Sequence, residues 1–247
     1  MEWGGSEIRK QSETFYLMAQ RKNKRSSSGI WIAMAVICYL MTGVLAYVFI
    51  ISELSGHITV TEEFLQYGII IGGTAFLGTV FLLAGTPEKK RPRAARFSMA
   101  ILFGVYLIIL AGLLFGGSRV WYAGRLDRKY SLKPFESIRL YMKAYEDRSL
   151  RIRVVASNLI GNILLFIPMT WFVPLLGKWA RKWYLFLPAM LGLICLVELT
   201  QYLTGRGSLD IDDVILNYSG VILGFVFLWN PLMVKLWKKT KLIEKNG

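Results

Sequence analysis

The segment YLFLPAMLGLICLVELTQYLTGRGSLDIDDVILNYSGVILGFVFLWNPLMV, Tyr184–Val234, decides how this chain is built. Two apolar runs, 184–203 and 214–234, flank the polar turn TGRGSLDIDD. Each run is about 20 residues long, the length that crosses the hydrocarbon core of a bilayer as a helix. Glu198 is the only Asp, Glu, Lys or Arg in either run. Further runs lie at 30–51, 64–84, 97–116 and 155–176, and none of them contains such a residue. The chain is 54% hydrophobic with a mean hydropathy of +0.44, more apolar than an ordinary soluble domain. Strands of a closed barrel are shorter and alternate in polarity, which excludes that architecture. Without water in the bilayer, helices must satisfy the backbone. The expected fold is all-α: a polytopic transmembrane helix bundle of six membrane-spanning helices plus an outer amphipathic helix.

Residues 1–29 are polar and basic and lack the short apolar core of a cleaved signal peptide. The first apolar run is therefore expected to act as an uncleaved anchor. Cys38 and Cys195 lie inside apolar runs and make neither a disulfide framework nor a paired-Cys metal spacing. His57 is the sole histidine and falls in a short loop, so a zinc site built on His or Cys is not expected.

The net charge of +14 could suggest nucleic acid, but its placement argues against such a partner. Lys and Arg cluster just outside the apolar runs, as membrane topology requires. Nineteen of the 30 fall on one side: the N-terminal tail, the loop TPEKKRPRAAR, the turn with Lys178, Arg181 and Lys182, and the C-terminal tail. The short loops opposite carry only Arg206. Segment 118–153 carries ten, but long segments weigh little in this rule. A bacterial plasma-membrane protein with both termini cytoplasmic is expected. Trp31, Trp179, Trp183 and Trp237 would sit at inner ends, and Trp121 with Tyr122 at an outer end, as interfacial aromatics. The organisation reads as a basic tail (1–29), three accessory helices (30–117), an outer segment (118–153), a three-helix region (154–234) and a second basic tail (235–247).

Within the outer segment, KPFESIRLYMKAYED reads as a helix with Pro134 in its first turn. Ile138, Tyr141, Met142 and Tyr145 share one face. Arg139, Lys143 and Arg148 lie elsewhere around it. The helix either lies along the outer membrane surface or packs on the bundle.

The last three apolar runs carry polar stripes. Asn158 and Asn162 are four apart; Glu198, Gln201 and Tyr202 share a face; Asp213, Asn217, Gly220 and Gly224 form a third line. Each stripe is nearer the outer end, so the three are expected to meet at one depth, beneath Arg206. Glu198 lies about five residues, or roughly 7.5 Å, inside its run. Such an acid costs about 2.5–3.5 kcal/mol on insertion scales, so it must be protonated, paired with Arg206 or exposed to a water-filled cavity. The stripes either form a functional site or glue helices together through amide hydrogen bonds of about 0.6 kcal/mol each. Gly220 with Gly224, and Gly72, Gly73 and Gly78, suit close helix approach. Pro168 and Pro174 are expected to kink the fourth run.

Asp210, Asp212 and Asp213 lack the spacing of a calcium-binding loop. The serines have no histidine to activate them, and no nucleophile elbow or phosphate loop is present. No metal or cofactor is expected. Internal repeats are not evident, which gives a transporter of inverted repeats no support.

KPFESI, NLIGNILLFIP and ELTQYLTGRGSLDIDDVILNYSGVILG resemble, in this order, the VanZ-like family of bacterial membrane proteins, over about residues 130–230. The family's Pro-Phe pair is matched by Pro134 and Phe135. Its Asn, Gly-Asn and Phe-x-Pro elements are matched by Asn158, Gly161 with Asn162, and Phe166 with Pro168. Glu198 and Gln201, then Arg206, Asp210 and Asp213, then Asn217, Gly220 and Gly224 match the rest. Where the family often has a Gly after Phe-x-Pro, this chain has Met169–Thr170. The resemblance implies a membrane protein of Gram-positive-type bacteria, related to a founding member associated with low-level resistance to the lipid-tailed antibiotic teicoplanin. It names no reaction.

The site expected from these residues is outward-facing and consists of Asn158, Asn162, Glu198, Gln201, Arg206, Asp210, Asp213 and Asn217. Arg139 and Lys143 would meet an anionic headgroup. Its partner would be a membrane lipid or lipidated small molecule. An intramembrane enzyme with Glu198 or Asp213 as acid or base, and a proton-coupled transporter with Glu198 as relay, are the competing expectations.

Overall fold

The computed structural model describes residues 28–52, 62–116, 130–149 and 151–239. The N-terminal tail, His57, Trp121 and Tyr122 lie outside the described residues. Among the described residues, six segments are long and apolar enough to cross a membrane: Ser28–Ser52, Gln66–Gly85, Arg91–Phe115, Val154–Leu176, Trp183–Thr204 and Ile211–Leu228. Large apolar side chains remain exposed along all of them, with Val226 and Phe227 on the last among the most open. In a bilayer that surface meets lipid tails, which are as apolar as the side chains themselves. The fold is therefore the expected helix bundle, and the chain is a multi-pass membrane protein.

Helix α1 (Ser28–Ser52) packs with α2 (Glu62–Gly85) and α3 (Arg91–Phe115) around Ala46, Phe49, Ile71, Ala75 and Val105. Tyr39 hydroxyl reaches Ser98 Oγ at 2.9 Å, and Thr42 Oγ1 donates to Thr74 Oγ1 at 3.0 Å. Gly78 permits this closeness, since a Cβ there would meet Tyr39 at 2.9 Å. Gly72 and Gly73 do not share that role: among the described residues no atom lies within 4 Å of a Cβ built on either.

The short strand β1 (Tyr130–Ser131) and α4 (Glu136–Glu146) precede the fourth crossing. That crossing is two helices, α5 (Ile152–Leu165) and α6 (Ile167–Leu176). The break has the expected cause. Pro168 has no N–H, so the helical bond to Leu164 cannot form. Tyr106 of α3 donates its hydroxyl to the adjacent Leu165 carbonyl at 2.6 Å. A backbone group released at membrane depth is thus satisfied by a neighbouring helix. A 3-10 turn (Lys178–Arg181) leads to α7 (Trp183–Thr204), which Gly205 ends at φ +68° in the left-handed region. Then follow β2 (Leu209–Asp210), α8 (Ile211–Leu228) and α9 (Pro231–Lys239). β1 and β2 pair in parallel, Tyr130 with Leu209 and Ser131 with Asp210.

Three sequence expectations are corrected here. The sixth apolar run does not continue as one helix to 234, because α8 stops at Leu228 and Pro231 opens α9. Pro suits a first helical position and cannot continue a helix. Trp237 is no interfacial anchor: it is buried, its ring centroid 4.4 Å from that of Trp171. Pro134 likewise precedes α4 instead of sitting in its first turn.

α8 lies at the centre of the second half, against α5, α6 and α7. Its glycines make that possible. A Cβ at Gly220 would collide with the Ile163 carbonyl oxygen, and one at Gly224 would meet Thr170 Oγ1 at 2.7 Å. The close α6–α8 approach is therefore provided by Gly224, opposite Ile167 and Thr170. Phe166, Phe186, Ile194, Val221 and Phe225 fill the core around the seam.

Candidate functional site

The hairpin of α7, β2 and α8 closes one end of the bundle, opposite the ends of α3 and α6 where Arg91, Arg93, Lys178 and Lys182 lie. Asp212 organises this end. It is 1% exposed. Its carboxylate accepts the backbone N–H of Phe135 at 2.5 Å and of Ile138 at 3.1 Å. These are unpaired donors of the first turn of α4, so α8 caps α4 across space. Phe135 sits at φ 65°, a strained conformation for a non-glycine residue that surrounding contacts must fix. Asp210 completes the clasp. It accepts the Asp212 N–H at 2.9 Å and caps its own helix, and its other oxygen accepts the Ser137 hydroxyl.

Deeper in the bundle, Asn162 of α5 donates its amide to Asp213 of α8. Glu198 of α7 is 3% exposed, on the helix that packs against β2 and α8. Asn217 lies one turn below Asp213 and is 1% exposed. Glu198 Oε2 and Asn217 Oδ1 are both buried without a hydrogen-bond partner. An unsatisfied buried acceptor costs about 1–3 kcal/mol, more when charged. Tyr141 of α4 faces the same acids. Burial first, then the charges of Asp213 and Asp210, raises its phenol above the ordinary value, so its hydroxyl keeps its proton.

Of the residues singled out in the sequence, Asn162, Glu198, Asp210, Asp213 and Asn217 come together. Gln201 joins them at the side facing α3, donating to the Leu114 carbonyl at 2.8 Å. Two expectations are corrected. Asn158 does not face the cluster: it is exposed and donates to Val154 of its own helix at 2.8 Å. Arg206 does not neutralise the acids. It is exposed, and Nη1 donates to the Phe115 carbonyl at the end of α3. Asp210 is engaged in holding α4. Arg139 and Lys143 are exposed on α4. The face of α4 turned to the bundle is Ser137, Ile138, Tyr141 and Ala144, while Met142 and Tyr145 stay exposed.

Sequence reasoning missed the role of Asp212, together with Ser137, Tyr141 and Tyr106. The alternation Asp210–Ile211–Asp212 was the available signal, since i and i+2 share one side of an extended stretch. It is also the form a metal cluster would take, and only the position of α4 tells the two apart. Tyr106 stood inside an apolar run with nothing to mark its target 59 positions on.

Six apolar crossings with carboxylates and amides gathered at one end define a polytopic membrane protein with a polar intramembrane cluster. The family described as VanZ/LLP1 matches residues 103–235, more than half of the chain, and the chain belongs to this VanZ-like family. No curated protein and no solved structure matches it. The match begins within α3, the helix that supplies Tyr106 and the carbonyls bonded by Gln201 and Arg206.

Proposed function

We propose that this protein resides in the bacterial plasma membrane with both termini cytoplasmic and binds a lipid-linked or lipidated molecule in an outward-facing polar pocket. The pocket comprises Asn162, Glu198, Gln201, Asp213 and Asn217 under a cap of α4, with Arg206 at the rim. One observation carries the reading: Glu198 and Asn217 are buried inside a membrane-spanning bundle with acceptors that nothing satisfies. Ionisable groups at membrane depth are expensive and mark functional sites by default. Their position at the end opposite the Lys- and Arg-rich loops supports outward access under the positive-inside rule. Exposed Arg139, Lys143 and Arg206 suit an anionic headgroup, and the apolar crossings suit acyl chains. The consequence we propose is protection against teicoplanin-type glycopeptides, whose lipid tail would enter by the same route. No covalent step is required.

Expression in a susceptible Gram-positive strain tests this reading. Wild-type protein should raise the inhibitory concentration of teicoplanin. Glu198→Ala should lose most of the protection and Arg206→Ala part of it, at equal membrane abundance. Equal protection by all three would remove these residues from the function.

A further inference from the structure

The floor of the proposed pocket is chemically one-sided. Glu198 Oε2 and Asn217 Oδ1 are acceptors, more than nine-tenths buried, on helices that pack together, and both lack a donor. Of the donors nearby, the Asn162 amide is engaged on Asp213, the Ser137 hydroxyl on Asp210 and the Gln201 amide on Leu114, and the Tyr141 hydroxyl bonds neither atom. The cations remain outside. Arg206 donates to Phe115, and Arg139 and Lys143 are exposed.

Resting on the reading of this end as a lipid-binding pocket, we infer that the ligand reaches the floor with a protonated primary amine, donating to Glu198 Oε2 and Asn217 Oδ1. An ammonium has three N–H donors and no acceptor, the complement of these two atoms, and its bond to a carboxylate is charge-assisted. A phosphate at this depth would set acceptor against acceptor. A quaternary ammonium has no N–H to give and is recognised by aromatic cages; the acceptors here are a carboxylate and an amide. The same headgroup's phosphate stays at the rim, where Arg206 lies exposed. The pocket is thus polarised, ammonium inward and phosphate outward, which selects amine-bearing lipids over choline or glycerol lipids.

The test uses the full-length protein in detergent and three short-chain probes. These are dihexanoyl phosphatidylethanolamine, dihexanoyl phosphatidylcholine and dihexanoyl phosphatidylglycerol. Binding is read by native mass spectrometry and by the shift in melting temperature. The ethanolamine lipid should bind about tenfold more tightly than the choline lipid. Glu198→Gln, which keeps the shape of the side chain, and Asn217→Leu should each remove most of that preference. Thr42→Val, in the α1–α3 unit, should keep it. Comparable affinity for all three lipids overturns the amine inference and leaves the pocket reading standing. No binding of any lipid to folded wild-type protein overturns both. An undiminished preference in Glu198→Gln and Asn217→Leu overturns the assignment of the floor.

Discussion

The two halves of the bundle both bury polar side chains at membrane depth, but they treat them differently. Among the described residues of α1–α3 the buried polar ones are Thr42 and Ser98, and each is satisfied: Thr42 by Cys38 and Thr74, Ser98 by Tyr39. In the second half they include Glu198 and Asn217, each with an oxygen that nothing contacts by hydrogen bond. Hydroxyls that can bond their own helix backbone at little cost serve as helix glue. A carboxylate and an amide left open serve no such purpose. Where unsatisfied polar atoms persist in a native bundle they call for an explanation outside packing. The contrast separates a scaffold from a site within one membrane protein.

The largest effect should come from the seam on which the second half depends. Gly220→Leu drives a side chain into the Ile163 backbone, which cannot yield as a flexible side chain can. Overpacking a well-filled core costs about 1–3 kcal/mol, and a backbone collision falls at or beyond the top of that range. The variant should lose monodisperse elution in detergent, whereas Gly72→Leu, with open space at its Cβ, should elute as wild type. Equal behaviour of the two would mean that α8 and α5 are not held this closely.

Next is the clasp. Asp212→Ala strips two backbone N–H groups of α4 of their acceptor and leaves Phe135 strained. The cost is about 1–3 kcal/mol, concentrated in α4. Limited proteolysis should cut between residues 130 and 149 far faster than in wild type while the bundle stays intact. Unchanged cleavage would show that α4 is held by its apolar contacts alone.

The crossings were legible because charge exclusion over a bilayer's length is a one-dimensional signal. So was the stripe that joins Asp213, Asn217 and Gly220 on one side of α8, because helical period fixes it. The roles within the cluster were not legible. Asn158 and Asn162 are four apart, yet one donates to its own helix and the other to Asp213. Both lie on α5, and the side on which α8 packs decides which of them finds a partner, which does not follow from spacing. Arg206 lies close in sequence to four acids, but Gly205 turns the chain so that the guanidinium meets the end of α3. Charge proximity in sequence suggested a pair; the backbone conformation decided otherwise. Asp212 was read as one more acid because its partners are amides of α4, which sequence does not display.

The smallest effect is the most diagnostic, because its sign differs between the halves. Thr42→Val removes a hydroxyl that bonds across to Thr74, and it should lower stability by about 0.6 kcal/mol, the usual value of such a bond in a membrane. Asn217→Leu replaces a similar volume and removes an oxygen with no partner. Taking away an unsatisfied polar group removes its desolvation cost, so this variant should melt at or above the wild-type temperature in ligand-free detergent. In native membranes the order reverses if an occupant satisfies Asn217, because wild type then gains a stabilising ligand and the variant does not. Melting both variants in detergent and in native vesicles gives four values. A drop for Asn217→Leu in detergent as large as that for Thr42→Val would make Asn217 ordinary glue, and the distinction between scaffold and site would fail at the residue that draws it most sharply.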